Sequence, residues 1–511
     1  MYVAGCDEVY PGDVYKIGAA AHIECMPLVA PCMSDLDCYA HTFFVPNRLI
    51  YGVDTNDGKP IWEKFITGDE DGLYDTPLPA WSPSWSSTEF SSGKIWDAVG
   101  NPVAHTGTPK TWTPLVPSGV DVSIAPRNAY NMIWNAFYRD ENLQTEVALT
   151  NEDLLYADWR KDYFTSALEF QQRGLTPALP ISGLLPLQYD TSAQASTSLF
   201  PGIVGGVANG LGVTGTAPNL SATDTGDDAQ SLFAVGGANA SHKLAYVNLG
   251  NSVTFTIHDL RLAFAQQRLM ELSARSGVRY TEWLHANFGA NPTDARLDRP
   301  EYIGGCKIPV MISPVVQTSG TQNNTGTQLT PQGHKAGIGS GNGSQKIGNY
   351  RGLEHGVLIT LMSIRPKASY HQGVNKQWLR QSRWSYYNPA FANISEVGVF
   401  NCEIYTDPSD GLDSEMFGFQ TPWNEMRAKQ NIVSGAIHDQ FNYWSLFRDF
   451  ASRPALNADF ISLNHPEEYN RIFAVQNEDH FIVAWSNILD AYRPIPATGE
   501  PGLIDHVYGG L

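Results

Sequence analysis

Lys376–Tyr387 (KQWLRQSRWSYY) is the segment whose residue types could act directly on a partner. Lys376, Arg380 and Arg383 interleave with Trp378, Trp384, Tyr386 and Tyr387. Cations for phosphates and flat rings for base stacking are what single-stranded nucleic acid needs. The same composition also suits a contact between protein subunits, where aromatics and arginine are enriched. Lys376, Trp378, Arg380, Arg383 and Trp384 are therefore candidates for nucleic-acid contact, with a subunit interface as the other reading.

Two further segments resemble ligand-binding loops and lack a decisive residue. Gly337–Lys346 (GIGSGNGSQK) has the glycine density of a phosphate loop. In such a loop the lysine directly follows the last glycine and precedes Ser or Thr. Here Ser344 and Gln345 intervene, so the segment reads as part of a long loop over Ser319–Gly352. Asp54–Glu63 (DTNDGKPIWE) has calcium-loop residues, but Gly58 falls one position early for an EF-hand, and a turn is the simpler reading. Asp69-Glu70-Asp71 reads as a solvated acidic loop. Cys6, Cys25, Cys32 and Cys38 match no zinc spacing and read as buried thiols. No nucleophile elbow or zinc-protease motif is present, so no catalytic residue, metal or cofactor is assigned.

The elements around these segments read mainly as strands and long connections. The 511 residues are 42% hydrophobic and only 17% charged, with 46 Gly and 32 Pro, a composition that suits an all-β protein with ordered loops. Cys38–Val45 and His480–Ile488 read as strands near the two ends of the chain, an arrangement compatible with a sandwich in which early and late strands pair. Asn128–Asn142 carries Tyr130, Ile133, Trp134 and Phe137 at helical spacing. Asp259–Ser276 reads as a helix with Asp259 as its cap, and a shorter helix is expected over Arg279–Asn287. Leu175–Gly250 is rich in Gly, Ala, Ser and Thr and reads as an ordered excursion. The expected division is thus 1–174, the insertion 175–250, and 251–511.

The formal net charge is −19, from 33 Lys+Arg against 52 Asp+Glu, and no terminal arm is rich in Lys or Arg. Such a chain binds phosphate poorly without help. No run approaches a membrane span, and the first residues lack a signal-peptide pattern.

Several pieces in order carry a family resemblance. They are Asp7–Asp13 (DEVYPGD), Phe43–Leu49 (FFVPNRL), Trp62–Phe65 (WEKF), Tyr130–Leu143 (YNMIWNAFYRDENL), Asp162–Leu168 (DYFTSAL), Thr293–Gly305 (TDARLDRPEYIGG) and Pro501–His506 (PGLIDH). Together they resemble the major capsid proteins of the Microviridae, with an insertion similar to that of the gokushovirus-like lineage. The resemblance implies an all-β viral jelly roll of eight antiparallel strands with long helix- and loop-containing insertions. It implies about sixty copies in a T=1 shell around circular single-stranded DNA. A small basic DNA-packaging protein, pilot and scaffolding proteins, and assembly in the bacterial cytoplasm go with it. The 175–250 insertion would form a three-fold protrusion and could meet a host surface glycan or protein.

Arg127, Arg139, Arg296 and Arg299 are candidates for inter-subunit pairing. Trp81, Trp85, Trp96 and Trp112 are either interface anchors or internal core. The competing class is a carbohydrate-binding or carbohydrate-active β-sandwich, which would also explain the aromatics and the acidity.

Overall fold

The computed structural model describes residues 1–67, 69, 74, 76–81, 93–101, 121–174, 187–189, 245–247, 257–276, 285–286, 293, 298–322, 328–392, 395–476 and 478–493. The chain divides into two compact units. One is Met1–Arg173 with Glu271–Leu511, and the other is Gly174–Met270.

The first unit is built on one seven-stranded antiparallel sheet. Its strands are β1 (Tyr2–Val9), β2 (Val14–Cys25), β3 (Leu36–Pro46), β4 (Glu301–Val316), β5 (Lys335–Arg351), β6 (Gly356–Pro366) and β7 (Phe481–Tyr492). Their spatial order is β1-β6-β3-β4-β5-β2-β7, and the sheet curls into a nearly closed barrel of jelly-roll type. As the terminal strand patterns imply, β2 and β7 pair along their full length, from Val14↔Tyr492 to Cys25↔Phe481. Gly12, at φ 95°, makes the turn between β1 and β2.

Strict alternation builds the barrel interior. In β2, Tyr15, Ile17, Ala19, Ala21, Ile23 and Cys25 are buried while the residues between them are more exposed. That period of two is the strand signature. β3 is buried on both faces. One face joins the interior through Cys38, Ala40 and Phe44. The other, through Phe43 and Val45, packs with β6 residues Val357, Ile359 and Leu361 under helix α1 (Ala125–Ile133).

α1 begins three residues before the expected helix, with Pro126 in its first turn, where a missing N–H costs nothing. It continues as a wider π-helical turn over Trp134–Tyr138, closed by the Arg139 N–H donating to the Trp134 carbonyl at 2.9 Å. The chain then leaves helical geometry at Arg139. Phe137 and Tyr138 thereby lie over β3, with Phe43 and Phe137 ring centres 4.9 Å apart.

β5 corrects the loop reading of Ser319–Gly352. Lys335–Arg351 is a 17-residue strand between β4 and β2. Gly337, Gly339 and Gly341 occupy alternate positions and point into the barrel. A Cβ on Gly337 would lie 2.7 Å from the Ala30 carbonyl oxygen, and one on Gly341 would lie 3.0 Å from that of Pro309. Here glycine marks close approach of other backbone segments to the strand, not flexibility. Two short paired strands, Thr321–Gln322 and Gln328–Thr330, precede it.

The barrel seam is closed by side chains. β1 and β7 are the sheet edges, and the Asn487 amide donates to the Ala4 carbonyl at 2.8 Å. Arg493 donates to the Glu8 carbonyl at 2.8 Å and to the Tyr15 hydroxyl at 2.7 Å. The long connections add a separate core around Tyr163, Phe164, Tyr370, Phe417 and Phe460. It packs beside a hairpin formed by Val397–Phe400 and Met416–Gln420.

In the second unit, Leu187–Tyr189 pairs antiparallel with Ala245–Val247. Most of the 175–250 insertion lies outside the described residues. Helix α2, Ile257–Ser276, starts two residues before the expected one, so Asp259 sits inside its first turn. Of the shorter helix expected over Arg279–Asn287, residues 285–286 are described and are helical. No helix among the described residues is long and apolar enough to cross a membrane.

Candidate functional site

The Lys376–Tyr387 segment folds as successive 3-10 turns capped by local side chains. The Asn375 side chain accepts from the Gln377 N–H at 3.1 Å, and the Asn388 side chain accepts from the Ala390 N–H at 2.9 Å. Such caps satisfy amides that a short turn leaves unpaired.

The turns separate the five candidate residues into two groups. Lys376 points inward, with Nζ 3.3 Å from the Glu403 carboxylate and donating to the Gly398 carbonyl at 2.9 Å. The Tyr163 hydroxyl donates to the other Glu403 oxygen at 2.9 Å. Burial raises the Glu403 pKa more than Lys376 lowers it. Arg380 is paired with Glu425 and lies 5.9 Å from the Trp423 ring centre. Both cations are thus neutralised within the subunit.

Trp378, Arg383 and Trp384 point outward. Trp378 is 75% exposed and Trp384 60%. Tyr386 and Tyr387 are exposed beside them. The Arg383 guanidinium lies 4.2 Å from the Trp384 ring centre, and no described carboxylate pairs with it. Beneath this surface is a cavity of about 530 Å³, walled mainly by Tyr163, Trp384, Phe391, Phe400 and Trp423. Trp423 adopts a left-handed conformation (φ 64°), uncommon for a bulky residue, and its indole donates to the Phe391 carbonyl at 3.4 Å.

The candidate interface arginines are dispersed. Arg127 is 7% exposed, lies 3.7 Å from Glu152, and has its pKa lowered by burial. Arg139 donates to the Asn135 and Gln144 carbonyls. Arg299 lies 4.4 Å from the Phe137 ring centre. Arg296 lies outside the described residues. Trp96 is fully buried and stacks on Trp81 at 4.4 Å, within the subunit. Trp85 and Trp112 lie outside the described residues.

In the Asp54–Glu63 turn, Lys64 Nζ sits 2.8 Å from both Asp54 and Asp57. A side-chain ammonium occupies the place between these carboxylates and holds both pKa values down. Asp69 pairs with Lys59 at 3.0 Å, while Glu70 and Asp71 lie outside the described residues. Cys25, Cys32 and Cys38 are buried free thiols, and Cys6 is half-buried. Burial pushes the Cys25 and Cys38 pKa values up to about 12. Among the described residues no group of three or more His, Cys, Asp or Glu is arranged to hold a metal.

The family model of the phage capsid protein (F protein) matches residues 2–503. The chain belongs to this capsid protein family. It is 29% identical to capsid protein VP1 of Chlamydia phage 1, over 97% of this chain and 91% of that protein. It is 30% identical to the VP1 proteins of Bdellovibrio phage phiMH2K and Spiroplasma virus 4. Those matches cover 90% and 97% of this chain, and 84% and 90% of the respective relatives. Family membership agrees with the resemblance to Microviridae major capsid proteins of the gokushovirus-like lineage.

For a capsid protein, the relevant chemistry is noncovalent. The outward group Trp378, Arg383, Trp384, Tyr386 and Tyr387 has the composition of a contact surface. Sequence reasoning missed the counter-charges Glu403 and Glu425. They come from distant segments, and nothing near Lys376 or Arg380 announces them.

Proposed function

We propose that about sixty copies of this chain close into a T=1 icosahedral shell around a circular single-stranded DNA genome. The observation that carries this reading is the exposed aromatic surface around Trp378 and Trp384 on a capsid-family subunit. Large rigid rings dominate contact energetics when a partner buries them. The chain acts structurally and needs no catalytic residue for this role.

At net charge −19, the subunit contributes little neutralisation of a genome. A small basic packaging protein supplies most of it, and assembly takes place in the host bacterial cytoplasm with pilot and scaffolding proteins. The 175–250 insertion forms the three-fold protrusion and serves attachment to a host surface glycan or protein.

Trp378, Arg383 and Trp384 contact neighbouring copies. A second reading, contact with the enclosed strand, is favoured by the lack of an acidic partner for Arg383 among the described residues. Within the subunit, Arg127 faces Glu152, Arg139 donates to the Asn135 and Gln144 carbonyls, and Arg299 lies against the Phe137 ring.

Electron microscopy of the expressed chain, with and without a basic partner and single-stranded DNA, tests the proposal. Closed particles of uniform size are expected. A carbohydrate-active β-sandwich would remain a small oligomer in every mixture. Arg383→Glu separates the two contact readings. Loss of all shells assigns the surface to neighbouring copies, and loss of filled shells alone assigns it to DNA. Normal yields of filled particles would remove Arg383 from both.

A further inference from the structure

Three cations converge on one ring, on the face of β3 that carries Asp37, Tyr39 and His41. β4 places Lys307 directly opposite Tyr39, and β6 places Arg365 directly opposite Asp37. Neighbouring strands run about 4.8 Å apart, so the two cations flank β3 and reach over it from either side. Lys307 Nζ lies 5.8 Å from the Tyr39 ring centre, and the Arg365 guanidinium lies 4.6 Å from it. Arg160 arrives from a connection and lies 5.8 Å away.

One buried carboxylate serves two of these cations. Asp37 lies 2.8 Å from Lys307 and 3.2 Å from Arg160. Arg365 is the cation left over. Its Nε is buried without a partner, and no described residue accepts a hydrogen bond from it. Asp158 interacts with Arg365 only through its field. Its carboxylate is held by Gln144 at 2.9 Å, and burial raises its pKa to about 6. The positive field of Arg365 reaches its other neighbours as well. It adds to burial in lowering the pKa of His41 and of the Met1 amine.

A partly desolvated guanidinium that no described carboxylate meets by hydrogen bond is unfavourable, and more so next to two other cations. In a chain with an excess of acidic residues, placing three cations around one ring calls for an anion. We propose that Arg160, Lys307 and Arg365 form a binding site for a phosphate oxyanion, with Tyr39 as its floor. The Arg365 fork matches two phosphate oxygens, and Lys307 and Arg160 add charge. The Lys307 and Arg160 side chains are 49% and 39% exposed, so an anion reaches them from solvent. The phosphate is either a free ion or a phosphodiester of a nucleic-acid strand. The site is separate from the Trp378–Trp384 surface, and it stands or falls independently of shell assembly.

Calorimetric titration of the full chain with inorganic phosphate, at constant ionic strength set with chloride, tests the site. Arg160→Gln with Lys307→Met removes two partly exposed charges, and circular dichroism verifies the fold. Each lost charge is expected to weaken phosphate binding about tenfold. Arg365→Lys keeps the charge, loses the fork, and is expected to weaken binding less. Oligothymidylate that displaces phosphate assigns the site to a strand. Oligothymidylate that leaves phosphate bound assigns it to the free ion. Both outcomes support the site. Wild-type chain that binds phosphate no better than chloride overturns it, as does a double variant that binds like wild type. Stabilisation by an acidic peptide but not by phosphate overturns it in favour of a protein contact.

Discussion

Acidification is expected to destabilise the subunit through His41. The ring lies among Tyr39, Phe43, Tyr138 and Tyr302, with Nδ1 2.7 Å from the Tyr138 hydroxyl. Burial, reinforced by Arg365, lowers its pKa from 6.5 to about 4. Between those values the unfolded chain binds the proton and the folded chain does not. Stability from the neutral ring is therefore fully present above pH 6.5 and is lost as pH falls towards 4. At about 1.4 kcal/mol per pH unit, the loss at pH 4.5 is about 2.5 kcal/mol. Solvent screening at this partly accessible ring trims it to about 2 kcal/mol. His41→Gln keeps a hydrogen-bonding group near Tyr138 and removes the titration. Urea unfolding of the unassembled subunit, repeated from pH 7.5 to 4.5, is the assay. Wild type should lose about 2 kcal/mol more than the variant across that range. The Met1 amine, lowered by burial from 8.0 to about 5, loses stability over a higher window in both proteins and cancels in the comparison. Stability curves that run parallel from pH 7.5 to 4.5 would refute the reasoning.

Three further substitutions probe the fold. Arg448 and Glu468 form a buried pair at 3.3 Å, with the guanidinium 4.4 Å from the Phe460 ring centre. Glu468→Gln should cost about 3 kcal/mol in denaturant unfolding, because a buried cation loses its counter-charge. Asn487→Ala removes the seam bond to Ala4 and should cost about 1 kcal/mol. Hydrogen exchange should then rise in β1 while the centre of the sheet stays protected. Gly337→Ala forces a methyl group against the Ala30 carbonyl and should cost about 1–3 kcal/mol, read as a lower melting temperature. An unchanged melting temperature would mean that the β5 backbone can yield there.

The sequence alone was enough for the class of the molecule. Strand patterns near both termini and the turn residues between them point to an all-β chain, and the resemblance of the ordered pieces to Microviridae capsid proteins implies a jelly-roll capsid subunit. The apolar stripe of α1 was legible because helical spacing is a local property. Local reading failed wherever the deciding atoms came from elsewhere in the chain. The glycines of β5 looked like a loop, since nothing nearby in sequence shows the Ala30 and Pro309 carbonyls pressed against them. Their alternation along Gly337, Gly339 and Gly341 was the available signal, and it marks a strand only if glycine is allowed as an inward residue. Lys376 and Arg380 looked available for phosphates until the tertiary structure brought Glu403 and Glu425 against them. The cluster around Tyr39 had no sequence signature, because Arg160, Lys307 and Arg365 meet only through strand register and a long connection. Composition and periodicity act over a few residues and determine which elements form. Charge compensation and close packing act across space, so only the tertiary structure decides which cations remain free.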